Sequence, residues 1–446
     1  MEKTNWTQAT EEDVADRVDG KVEVLLGEMA GIDYWDDETV IAEGPYEGMT
    51  GAEAWTEFMN QLTWDEVKTV ISNGSFGTPA MPAIGKEAGK DQDGPAQLKS
   101  NGTYWCCEVV ISSTWNVDLA YEQGVCVGNE SLFQNVTGWY GAAMNIHRTP
   151  FSGRNFEYYS QDALQGGRMA AAVIGGAQSK GLNCYIKHFA VNDQERGRGN
   201  LGTFASEQAI RENYLKNFEY AFKFGGSTGV MVAYNRVGAI NEFGNWATNV
   251  QILRNEWGFK GVAITDAYGG GNVLANMMQR GGVDMPLGSY GGENSISGTW
   301  DATLRGGKGD VRDGNAAADG TVPESPTQYQ VIRDSATRTL WTFANTNINE
   351  NGLDKTSVSY DDEIVWYAGI DGSLKGITPV SFAVDTNKYG TKNVSYDSEG
   401  LPEGLSISAN GNLIGTTMEL GTYDVDVTVI GDGWSRATAP AKVTIR

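Results

Sequence analysis

The chain is poor in the residues that metal centres and disulfide frameworks require. Its 446 residues include only 2 histidines, His147 and His188. Its 4 cysteines, Cys106, Cys107, Cys126 and Cys184, form no Cys-x-x-Cys pair. That scarcity argues against a zinc site, and neither a metal nor any other cofactor is expected. Cys106 and Cys107 are adjacent, a poor start for a disulfide framework, so the thiols are expected to be reduced. Basic residues are also scarce: 33 Lys and Arg face 57 Asp and Glu, for a net charge of −24. Such a field repels nucleic acid and anionic membranes, so neither is an expected partner. No apolar run reaches the length of a bilayer span, and no basic-then-apolar signal pattern opens the chain. Together with reduced thiols, these absences lead to the expectation of a cytoplasmic protein.

What the chain does contain is unevenly distributed. Residues 1–50 hold 14 acidic against 3 basic residues, the pattern of a solvated linker or of a junction to a neighbouring module. Val22–Leu26 reads as one isolated strand in that segment. A helix is expected to begin near Ala54-Trp55 and a short one at Asp65, which Asn73–Gly77 breaks. Strands and helices then alternate. Val109–Ile111 is a short β-branched run leading to Trp115, followed by a helix over Asn116–Phe133, and Ala142–Ile146 is the next strand candidate. Helices are expected over Ala163–Lys180, Glu207–Phe224 and Thr248–Trp257, with strands at Cys184–Ile186, Val230–Val232 and Val262–Ile264. Alternation of this kind implies a parallel sheet, here a closed TIM-like (β/α) barrel. Residues 305–326 are rich in Gly, Asp, Ala and Pro and read as an exposed loop, and Tyr329–Ala344 as an amphipathic closing helix. From 355 to 446 the pattern becomes period-two, clearest at Tyr423–Ile430, with turn signals at Asp371-Gly372, Asn410-Gly411 and Gly431–Gly433. A small all-β immunoglobulin-like sandwich is expected there. Its role is structural, or else sugar binding through Trp434.

Two strand ends carry the chemistry. Cys184-Tyr185-Ile186 runs into Lys187 and His188, and Val262-Ala263-Ile264 into Thr265 and Asp266. Charged groups at the ends of buried strands pack poorly and are well placed for chemistry. The motifs QLTWDEV (61–67), DGPAQLK (93–99), NIHRTPFSGRNFEYYSQD (145–162), KHFAVNDQERGR (187–198), RENYLKNFEYAFK (211–223), VMVAYNR (230–236) and ILRNEWGFKGVAITD (252–266) follow in order. With these motifs the chain resembles glycoside hydrolase family 3, on its β-glucosidase side, over residues 55–345.

The resemblance implies a retaining glycosidase acting on terminal β-linked glucose or a close relative, with a β-linked glycoside or oligosaccharide as partner. Such enzymes use two carboxyl groups about 5–5.5 Å apart, one as nucleophile and one as acid/base. Asp266 matches the family's nucleophile; its alternative is a helix-capping role. Asp93 matches an acceptor of sugar hydroxyls, against the reading of a plain turn aspartate. Arg154, Lys187, His188 and Arg198 match the family's sugar-gripping groups, with buried salt bridges as the alternative. Met231 and Tyr234 match a pocket wall, although Met231 fits ordinary core as well. Lys99 stands where the family usually has arginine. Ala267 stands where an aromatic commonly follows the nucleophile, leaving that platform absent or supplied by Tyr268.

The family's acid/base glutamate comes from a separate α/β sandwich module. The expected layout here is an acidic junction over 1–54, a barrel over 55–350 and a sandwich over 355–446, with that module lying ahead of the barrel. No residue of this chain matches the acid/base. The N-acetylglucosaminidase branch is disfavoured, because its Asp-Ser-His loop is replaced by AVNDQERGR. Two further readings stay open: a barrel that binds sugar but turns over weakly, and a structural carbohydrate-binding protein. The sequence does not separate glucose from xylose.

Overall fold

The computed structural model describes residues 24–99, 102–268, 273, 275–288, 326–346, 364–366, 394–408, 412–431 and 437–445. Its first helices begin where their capping residues dictate. Thr50 and Thr63 each accept a hydrogen bond from the backbone of the glutamate three residues on, and Glu53 and Glu66 reach back, fixing the starts of α1 (Gly51–Asn60) and α2 (Trp64–Ser72). Glu108–Ser112 (α3) is helical. This corrects the expectation of a strand at Val109–Ile111: the run is short, Ile111 is buried while Val110 is exposed, and Cys107 turns the chain into the helix. Asn116 and Asp162 cap α4 (Val117–Gln134) and α5 (Ala163–Gln178). The two approach backbone to backbone. A Cβ on Gly124 would lie 2.0 Å from the Val173 carbonyl, and one on Gly176 2.2 Å from that of Tyr121. Glu207–Gly225 is helical apart from a bend at Leu215, with a π turn at Ile210–Tyr214 ahead of α6 (Lys216–Gly225). A π-helix over Ala247–Glu256, α7 (Ala275–Arg280) and α8 (Pro326–Ala344) follow.

Between these helices run β1 (Asp91–Asp93), β2 (Gly138–Tyr140), β3 (Asn183–Phe189), β4 (Gly229–Val232), β5 (Val262–Ala267) and β6 (Met285–Leu287). They form one 6-stranded sheet in chain order, every neighbouring pair parallel. The segment after α2 joins its edges: Gly74 N donates to Pro286 O at 3.0 Å, and Asp91 N donates to Phe76 O at 2.9 Å. Only glycine fits that approach, since a Cβ at position 74 would lie 2.6 Å from the Pro286 carbonyl. The result is the expected (β/α) barrel type. The second strand lies at Gly138–Tyr140 rather than at Ala142–Ile146, which instead follows β3 through a bridge between Ala143 and Lys187.

The described part of the acidic N-terminal region is packed, contrary to the picture of a solvated tail. No strand forms at 24–26; Leu26–Met29 is a 3-10 turn, and Val24, Leu26 and Met29 join Trp55, Phe58 and the α8 residues Leu340 and Phe343 in one core. Its apolar residues are few but spaced to face that core, and burial outweighs the charge between them.

In the C-terminal region, β7 (Ile364–Trp366), β8 (Val394–Glu399), β11 (Gly421–Gly431) and β12 (Ala437–Ile445) form a sheet in the order β7-β12-β11-β8, with β9 (Leu405–Ile407) and β10 (Leu413–Gly415) as a separate hairpin. All pairs are antiparallel except β7 with β12. Val425 and Val427 alternate inward from β11 against Leu405, Leu413, Val443 and Ile445, as the period-two pattern requires. The 305–325 loop, Trp434 and the turn pairs Asp371-Gly372 and Asn410-Gly411 lie outside the described residues.

Candidate active site

Parallel strands place all their C-terminal ends on one rim, which is where barrel enzymes build their sites. Here β1 ends at Asp93, β3 carries Lys187 and His188 near its end, and β5 carries Asp266 one residue before its own. Lys187 Nζ donates to Asp93 Oδ1 at 2.6 Å, although the two residues are far apart in sequence. The Lys187 side chain is 3% exposed, whereas that of Asp93 is 38% exposed, so the carboxylate is the accessible half of the pair. Burial pushes the Asp93 carboxyl up, but the Lys187 ammonium, hydrogen bonds from Lys187 and the Gly94 amide, and the charge of Lys99 together hold it below the usual carboxylate range. Lys99 is exposed on the following loop, its amide donating to Asp93 O at 3.0 Å.

Asp266 is held more loosely. Its side chain is 13% exposed; Arg198 Nη1 stands 3.3 Å and His188 Nε2 3.8 Å from Oδ2. The Ala267 amide donates to Oδ1 at 2.7 Å. Burial, followed by the cations Arg154, Lys187 and Arg198, pushes the His188 imidazole well below its ordinary value. The ring is therefore neutral near pH 7, leaving Arg198 as the cation at Asp266. Tyr158 Oη lies 3.4 Å from His188 Nδ1. Tyr234 lies under the Arg198 guanidinium, whose central carbon is 4.6 Å from the ring centre. Its hydroxyl donates to the Ala267 carbonyl, and burial together with the Asp266 charge pushes its pKa up to about 12.

Arg154 is one link further out. It pairs with Glu157 and stands 3.6 Å from Glu195 Oε1, while Arg198 stands 3.4 Å from Glu195 Oε2. The structure thus brings Asp93 with Lys187, and Asp266 with His188, Arg198 and Tyr234, and links Arg154 to them through Glu195. Met231 is placed differently. It lies on β4, 2% exposed, in the core cluster that holds Tyr140, Tyr185 and Phe243, against which Tyr234 also packs. Tyr268 packs on that same cluster and donates its hydroxyl to Val273 O at 2.9 Å, while Ala267 is exposed.

Sequence reasoning gave no role to Asn145, Tyr158 or Glu195. Asn145 clamps the end of β3, with Nδ2 donating to His188 O at 2.9 Å and Oδ1 accepting from His188 N at 2.8 Å. The only visible signal for Glu195 was an acid three residues ahead of Arg198. Chemically, the rim presents two partly exposed strand-end carboxylates, Asp93 and Asp266, with donors and acceptors around them suited to hydroxyl groups.

The sequence profile of the glycosyl hydrolase family 3 N terminal domain matches residues 49–287, and an Ig domain profile matches residues 367–446. Beta-glucosidase A of Butyrivibrio fibrisolvens is 34% identical over 245 residues, which are 52% of this chain and 30% of that protein. A beta-glucosidase of Ruminococcus albus is 38% identical over 211 residues, 45% of this chain and 21% of that protein. The chain therefore spans less than a third of the length of these curated relatives. Among solved structures, beta-glucosidase 3B from Thermotoga neapolitana in complex with glycerol superposes with a TM-score of 0.53 at 29% identity, covering 66% of this chain and 43% of that one. A Bifidobacterium adolescentis GH3 beta-glucosidase gives 0.53 at 26% identity over 66% of this chain and 42% of that one. Ordered motifs, barrel and rim agree with these likenesses: the chain belongs to glycosyl hydrolase family 3.

Proposed function

We propose that the barrel catalyses the first half of retaining hydrolysis of terminal β-linked glucosides, with Asp266 as nucleophile. The observation that carries this reading is an accessible strand-end carboxylate facing Arg198 and a neutral His188, beside the Asp93–Lys187 pair. Asp266 attacks the anomeric carbon, the glycosidic C–O bond breaks with its electron pair leaving on the aglycone oxygen, and a glycosyl-aspartate forms; water then cleaves that ester. Asp93 accepts hydrogen bonds from sugar hydroxyls, while Lys187, Arg154 and Arg198 donate to them. The β-glucosidase relatives support glucose as the sugar.

The acid/base is proposed to come from an α/β sandwich module outside this chain. Among the described residues, two carboxylates beside the site are engaged by cations, Asp93 by Lys187 and Glu195 by Arg154 and Arg198. General acid–base help is worth about 10²–10⁴-fold and matters most for poor leaving groups. The chain alone should therefore turn over a dinitrophenyl β-glucoside slowly, its phenolate leaving without a proton, and hydrolyse cellobiose hardly at all. Azide, which attacks without a base, should accelerate turnover. Efficient cellobiose hydrolysis insensitive to azide would place an acid/base within this chain. Absence of any glycosyl intermediate on Asp266 would overturn the nucleophile assignment.

A further inference from the structure

Five side chains form a line of alternating charge that ends on the proposed nucleophile: Glu157, Arg154, Glu195, Arg198 and Asp266. Its centre is Glu195. One of its carboxylate oxygens faces Arg154 Nη1 at 3.6 Å and accepts from Asn192 Nδ2 at 3.0 Å. The other faces Arg198 Nη1 at 3.4 Å, and that same nitrogen is 3.3 Å from Asp266 Oδ2. The backbone is tied as well: Glu195 N donates to Ser152 O at 3.0 Å, joining the loop that carries Arg154 to the loop that carries Arg198.

We infer that Glu195 is a positioning residue: it holds Arg154 and Arg198 in place and, by sharing the Arg198 guanidinium with Asp266, keeps that cation from closing fully onto the nucleophile. The inference rests on the assignment of Asp266 above. Isolated pairs this exposed contribute little, and ordered networks are the exception. Here Asn192 and two guanidiniums hold one carboxylate, while the Ser152 carbonyl holds the Glu195 backbone amide. The contacts of Arg198, at 3.3 and 3.4 Å, are nearly equal, so neither acid has sole hold of it. Without the charge at 195, Arg198 has Asp266 as its remaining carboxylate partner. A carboxylate paired more fully is stabilised as the anion, protonates at lower pH and attacks more slowly. Freed on one side, Arg154 also grips the sugar less well.

The other groups facing these acids do not mask the effect. Asp266 is faced, besides Arg198, by His188, which is neutral, and by Tyr234, which keeps its proton. Glu195 is faced, besides the two arginines, by Tyr158, whose phenol burial pushes well above its ordinary value. Glu157 acts only through Arg154, which it shares with Glu195.

The test uses the full chain and 2,4-dinitrophenyl β-glucoside, following the rate of phenolate release in the first turnover against pH for wild type, Glu195→Gln, Glu195→Asp and Asp266→Asn. Glu195→Gln keeps shape and the hydrogen bond from Asn192 but removes the charge. It should move the acidic limb down by about half to one pH unit, slow the first step by roughly tenfold and raise KM. Glu195→Asp should restore most of the limb. A residue acting only as a brace would change rate without moving the limb. An unmoved limb in Glu195→Gln, with wild type active and Asp266→Asn inactive, overturns the inference while leaving the site assignment standing. Wild-type rates in Asp266→Asn overturn the assignment and the inference with it. If thermal scans show Glu195→Gln unfolded, Glu195→Asp decides: its shorter reach must move the limb downward by a smaller amount, and no movement refutes sharing.

Discussion

Asp266 and Asp284 sit at opposite ends of the same sheet, each beside an arginine, and they are built for different purposes. Asp284, just ahead of β6, is completely buried. Arg254 Nη2 and the Ala263 amide donate to its Oδ2 at 2.9 and 2.8 Å, and Arg338 Nε donates to its Oδ1 at 2.8 Å. Every contact is short and both oxygens are engaged. Asp266, on the other rim, stands 3.3 Å from its cation and 3.8 Å from a neutral histidine, with part of its side chain exposed. Identity and partner type are the same; completeness of pairing and access differ. A fully satisfied carboxylate fastens helices to a barrel, and a partly satisfied, partly exposed one fits the nucleophile role proposed for Asp266.

The sharpest way to break this comparison is to replace each acid in turn. Asp266→Asn should lower dinitrophenyl glucoside turnover by about a thousandfold or more while leaving the thermal midpoint within a few degrees. Activity near wild type, or gross unfolding, would place Asp266 in the structural class instead. Asp284→Asn should do the reverse, costing about 3–5 kcal/mol in urea unfolding because two arginines are left buried without their anion. Unchanged stability there would remove the contrast.

Lys187→Met should show the intermediate case. Asp93 loses its main cation, so KM for the glucoside should rise roughly 10–100-fold, with a smaller loss in kcat. A fall in kcat at constant KM would mean that the pair acts in the transition state rather than in binding.

Glu242 tests burial without a cation. It is completely buried, accepting from Asn245 Nδ2 at 2.9 Å and Thr248 Oγ1 at 2.5 Å. Burial raises its carboxyl to about 7 against those two hydrogen bonds. A raised folded value means that the folded state holds the proton more tightly than the unfolded one. That stabilisation is complete below about 4.5 and is lost as pH rises through about 7. Wild type should lose on the order of 1–3 kcal/mol between pH 5 and pH 8, and Glu242→Gln should flatten that slope. Parallel slopes for the two proteins would contradict the assignment.

The strand ends were legible because a polar residue that closes an apolar run marks where a buried strand emerges, and the family's motif order placed those ends in one barrel. Lys187, His188 and Asp266 were marked this way, whereas Asp93, which ends the polar strand Asp91–Asp93, was marked only by the family's motif. The misread elements were short or mixed. Val109–Ile111 has the composition of a strand but is helical, with Ile111 buried and Val110 exposed, and the charge of the N-terminal region concealed the apolar residues that seat it on the core. Local pattern is a weak guide where tertiary burial decides.

By itself the sequence determined the alternation that makes the barrel, the period-two module behind it and the polar residues at the ends of β3 and β5, because these follow from neighbours within a few positions. Only the tertiary structure decided which charges meet. Asp93 with Lys187, Glu195 with Arg154, and Asp284 with Arg254 and Arg338 are pairings across 94, 41, 30 and 54 residues. No local rule ranks such pairs: their distance is set by sheet order and helix packing, and their burial decides whether a carboxylate is held fast or left open to react.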